Sequence, residues 1–106
     1  MKTLSLRPYP GHVYVCKTQK EYQRKHERMF GERDFVLTKR NSGRMTGRTL
    51  DPEGVEYLVW AKAPCYLAHE LSHVILNSFE AVGIDPREAG GEPFCYLLSQ
   101  LLLECE

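Results

Sequence analysis

Residues 64–79 read PCYLAHELSHVILNSF, and the fold of the chain turns on how this stretch is read. Pro64 suits the first turn of a helix, where a missing N–H costs nothing. Leu67, Leu71, Val74, Ile75 and Val82 recur at helical spacing, and Gly83 readily takes the left-handed conformation that ends a helix. The spacing predicts a helix over 64–82. Before it, VEYLVWAK (55–62) is rich in β-branched and aromatic residues and predicts a strand. After it, DPRE (85–88) has the form of a capping box and GG (90–91) interrupts the chain. EPFCYLLSQLLLEC (92–105) then predicts a last helix, with Pro93 in its first turn.

Working outward toward the N-terminus, GHVYVC (11–16) alternates like a short strand. KTQKEYQRKHERMFG (17–31) is helical, with Thr18 as cap, Glu21 three residues on, and Gly31 as stop. Its thin apolar stripe of Tyr22, Met29 and Phe30 predicts a surface helix. DFVLTKR (34–40) reads as a second strand, NSG (41–43) as a turn, and RMTGRTL (44–50) as a third strand. DPEG (51–54) is a turn with Pro52 at its second position. The order is β-α-β-β-β-α-α, which makes an α+β domain. One domain is expected over 1–106. Its basic N-terminal part (1–54) holds strand, helix and hairpin, and 55–106 holds an edge strand followed by two helices.

Composition narrows the function classes. No apolar run approaches the ~20 residues of a membrane span. MKTLSLRPYP meets Arg7 and Pro8 before any apolar segment forms, so no secretory signal is read and a cytoplasmic location is expected. Cys16, Cys65, Cys95 and Cys105 form no CxxC pair, so reduced thiols are expected, with Cys65 and Cys95 in small apolar packing. Net charge is zero, but residues 1–50 hold twelve Lys/Arg against four Asp/Glu, a balance of +8, and residues 51–106 carry −8. KRNSGRMTGR (39–48) concentrates basic residues with glycines. Through Arg40, Arg44 and Arg48 it is a candidate contact for nucleic acid or an acidic protein. The alternatives are a solvated hairpin and two halves that attract each other. KEYQRKHER (20–28) reads as a solvated helix face.

HELSH (69–73) carries the chemistry. Residues four apart on a helix lie one above the other, so His69 and His73 can offer two imidazole nitrogens to one Zn2+. Glu70 is turned ~100° around the axis, where a carboxylate can flank the ion and take a proton from water. The alternatives are a solvated polar face and partly buried histidines. A catalytic zinc takes three protein donors and keeps one open position. Glu92, which opens the last helix, is the candidate third donor; the competing reading is an acid favoured by the helix dipole. Asp85 and Glu88 are accounted for as caps. A structural site of Cys65, His69, His73 and Cys95 is a further alternative.

HELSH followed by GEPF, with eighteen residues between His73 and Glu92, resembles the gluzincin group of zincin metallopeptidases. The order of strand, HELSH helix, loop and Glu-bearing helix looks like a minimal zincin core. HELSHVILNSFEAVGID with GEPFCYLL resembles short H-E-x-x-H proteins of phages and prophages, and more loosely the repressor-cleaving metalloproteases of mobile elements. The resemblance covers roughly residues 55–103. It implies a zinc metallopeptidase with His69, His73 and Glu92 as ligands and Glu70 as general base. It implies a peptide substrate added as a strand along 55–62. Tyr96, one turn after Glu92, is the candidate oxyanion donor. The alternative function is a non-catalytic zincin-fold protein, phage-type, that acts on a host protein or nucleic acid through its basic half.

Overall fold

The computed structural model describes residues 1–50 and 54–106, without the side chain of Leu50. The turn expected at DPEG falls on 51–53 and lies outside the described residues. The elements are β1 (Lys2–Ser5), β2 (His12–Cys16), α1 (Gln19–Phe30), β3 (Gly43–Leu50), β4 (Gly54–Ala61), α2 (Pro64–Ala81), a short 3₁₀ helix (Glu88–Gly91) and α3 (Glu92–Glu104). The sheet is mixed, in the order β1-β2-β4-β3. β2 and β4 are parallel, and the two outer pairings are antiparallel. This is the expected α+β class.

β4 alternates with period two between two cores. Tyr57 and Val59 pack with Val13, Leu71, Val74, Ile75, Phe79, Leu97 and Leu101 beneath α2 and α3. Leu58 and Trp60 pack with Cys16, Tyr22, Met29 and Leu37 on the α1 side. A strand covered on both faces reads as a near-continuous apolar run, which is what VEYLVWAK is.

Two expectations are corrected. Strand 55–62 is not an edge strand, because β4 is hydrogen-bonded to β2 on one side and β3 on the other. Its backbone groups are spent, so no peptide can add along it; the free edges belong to β1 and β3. Residues 34–40 are turns rather than a strand. Asp34 is buried, and its carboxylate accepts from Tyr22 Oη at 2.7 Å, Arg44 Nε at 2.8 Å and its own neighbour Val36 N at 3.1 Å. Gln23 clamps the backbone of Asp34 from α1. The strand missed from the sequence is β1, four residues long and held by pairing with β2.

The helix signals were legible. Thr18 Oγ1 accepts from Glu21 N at 3.1 Å, and Gly31 ends α1 at φ 79°. No helix among the described residues is long and apolar enough to cross a membrane.

Candidate metal centre

The apolar stripe of α2 orients the rest of that helix. Leu71, Val74, Ile75 and Phe79 are buried, which turns His69, His73 and Asn77 outward. His69 Nε2 and His73 Nε2 stand 3.2 Å apart, with ring centroids at 4.7 Å. Two donors about 2.05 Å from one tetrahedral ion lie about 3.3 Å from each other. The pair therefore fits two corners of a zinc site. The same distance also suits one ring donating its N–H to the other.

Glu70 is half-buried against the start of β3. A Cβ on Gly43 would come 3.0 Å from Glu70 Cγ and 3.3 Å from its Oε1, so the glycine is what leaves room for this side chain. Glu70 and His73 share a groove of about 350 Å³ with Val36, Asn41, Gly43, Arg44 and Met45. A second depression, sharing Arg44 and Met45, runs along residues 44–49 of β3 to Asn77 and Phe30.

The other expected site residues lie elsewhere. Glu92 is exposed at the start of α3. Two residues on, Phe94 packs edge-on against Phe79 at 6.4 Å between centroids. Phe79 is six residues past His73, ~9 Å along the axis of α2. α3 thus starts beside the far end of α2, and Glu92 is not brought to the histidines. Among the described residues no group of three His, Cys, Asp or Glu side chains is placed to hold one ion. Cys65 and Cys95 are exposed, contrary to the packing expected of them, because each falls outside the buried stripe of its helix. The capping box expected at DPRE does not form among the described residues: Asp85 Oδ1 accepts from Arg87 N at 2.9 Å, two residues on, and the short 3₁₀ helix that follows has no side-chain cap.

Tyr96 is 72% exposed and lines a different groove, with Ser5, Arg7, Tyr9 and Gln100. Asn41 and Arg44 also line the groove of Glu70 and His73, but strand register turns the Arg44 side chain to the other face of β3, with Thr46 and Arg48, where it binds Asp34. Sequence reasoning missed the approach of Gly43 to Glu70, because only the lateral order of the sheet places β3 beside α2.

On the opposite face of the sheet, strand register builds a polar row. Glu56 stands opposite His12 on one side and Arg48 on the other. Its carboxylate accepts from Tyr14 Oη at 2.6 Å and Arg48 Nε at 2.9 Å, and contacts His12 Nε2 at 3.0 Å. Burial alone would raise its pKa, but these donors outweigh burial and hold it at about 2. Asp34, with Tyr22 and Arg44, is also held below the ordinary carboxylate value against the pull of burial.

These pairs change the basic surface expected at 39–48. Arg44 is bound to Asp34, and Arg48 to Glu56 and to the carbonyl of Met29 at the end of α1. Of the three arginines only Arg40 is exposed, since the other two neutralise buried carboxylates.

No protein-family model matches the chain, and neither the curated proteins nor the solved structures contain a match to it.

Proposed function

We propose that the chain is a zinc-dependent peptidase centred on His69, His73 and Glu70, with its substrate extended along the outer edge of β3. The observation that carries this is the 3.2 Å convergence of two imidazole nitrogens beside a groove that holds Glu70 and follows a free strand edge. Zinc, when held by the two Nε2 atoms, lowers the pKa of water and polarises a carbonyl.

The chain's own groups supply the remaining chemistry. Glu70 accepts the proton of the attacking water and passes it to the leaving amine. β3 pairs only with β4 among the described strands, so its outward N–H and C=O groups can bind a peptide as an added strand. Val36 and Met45 are the apolar walls for the peptide's side chains. Glu92 keeps the role of an acid at a helix N-terminus.

The test is hydrolysis of a mixed peptide library by wild type and Glu70→Gln, with zinc content measured alongside. The variant is expected to retain zinc and to lose roughly 10²- to 10⁴-fold in rate, the usual contribution of a general base. Undiminished hydrolysis in the variant would sink the assignment. Three protein donors are usual at a catalytic zinc, and Glu92→Ala reads the third position directly. Its zinc content is expected to match wild type.

A further inference from the structure

The +8 balance of residues 1–50 has to appear somewhere on the surface, and the hairpin is not the place. The unspent cations gather instead on α1 and the segment after it. A groove of about 590 Å³ there is lined by Lys20, Arg24, Arg33 and Lys39. Glu27 is the single acid in its wall. All four cationic side chains are exposed, and none is ion-paired among the described residues.

We propose that this groove binds the phosphate backbone of single-stranded nucleic acid. Lys20 and Arg24 stand one helical turn apart, ~6 Å along the axis, so consecutive phosphates can meet consecutive cations. Arg33 and Lys39 close the opposite wall. The chemistry favours a polyanion over an acidic protein. A protein partner needs apolar anchors at the centre of its interface, and the apolar side chain lining this groove, Leu37, is itself buried. Nucleic-acid backbones ask only for cations and hydrogen-bond donors. The groove involves none of the metal-centre residues, so the two assignments stand or fall separately.

The experiment is fluorescence anisotropy of a labelled oligothymidylate with the full chain over a series of salt concentrations. Four phosphate contacts predict a log–log salt slope of about −3, at about 0.7 per contact on a single strand. Reversing Lys20, Arg24, Arg33 and Lys39 to Glu together is expected to lower affinity more than ~100-fold. Arg87→Glu, an exposed cation outside the groove, is expected to stay within about 2-fold. Because the four side chains are exposed, far-UV circular dichroism should show the reversed variant folded. No binding at the lowest salt, a slope near zero, or equal loss in Arg87→Glu would overturn the proposal. Competition by polyglutamate as strong as by unlabelled oligothymidylate would also overturn it, and would point to an acidic protein instead.

Discussion

Glu56 sits on β4 and Glu70 on α2, the helix packed against the sheet, yet they are held in opposite ways. Glu56 is 6% exposed and receives a tyrosine, an arginine and a histidine, all placed by strand register. Glu70 is half-buried in an open groove, and among the described residues no hydrogen bond or ion pair engages it. A carboxylate surrounded by donors is fixed as an anion and does structural duty. One left without donors, beside two exposed imidazoles, keeps its lone pairs for something that is not part of the chain. The same division runs through the two cores. The α1 side satisfies Asp34 and Tyr22 mutually, whereas on α2 the buried Ser78 Oγ has no partner among the described residues.

Removing one partner from the satisfied side should cost most. Arg48→Met leaves Glu56 buried and poorly compensated, and a loss of about 3–5 kcal/mol is expected in urea unfolding. A loss under ~1 kcal/mol would show that Glu56 is not held as described. Acid should have the next largest effect. A carboxyl held at about 2 when folded, against an ordinary 4.5, stabilises the fold fully above pH 4.5. That stability drains as pH falls from 4.5 toward 2, on the order of 3 kcal/mol. Asp34 acts with the same sign. Glu56→Gln should flatten this acid limb, and a limb of unchanged depth would assign it to other groups. Glu70→Gln, by contrast, should change unfolding free energy by less than ~0.5 kcal/mol, since no internal partner is lost. A larger drop would make Glu70 a structural residue. Ser78→Ala should be neutral or slightly stabilising, because it removes an unsatisfied buried hydroxyl.

What the sequence disclosed follows from how local each signal is. α1, α2 and α3 were legible because caps, prolines, glycines and apolar stripes act within a few residues. Residues 34–40 were misread because DFVLTKR has the look of a strand, while the tertiary bonds from Tyr22, Gln23 and Arg44 that pin Asp34 were not visible. β1 was missed because KTLS is too short to announce itself without its partner. The lateral order of the sheet has no local signal at all. That order put β4 inside, gave the free edge beside α2 to β3, and brought Gly43 to Glu70. At the site, the His69–His73 spacing was a helical fact and was readable. The separation of Glu92 and Tyr96 from that pair depends on how α3 docks against Phe79, which spacing cannot carry.

The most direct test of the metal centre is zinc titration of untagged, chelator-treated protein by calorimetry, for wild type, His69→Ala and His73→Ala. One zinc per chain is expected for wild type. Loss of either imidazole should abolish binding, because each supplies one of two nitrogens 3.2 Å apart. Equal zinc binding by all three proteins would contradict the account, and would leave the two histidines as a hydrogen-bonded pair on a solvated helix face.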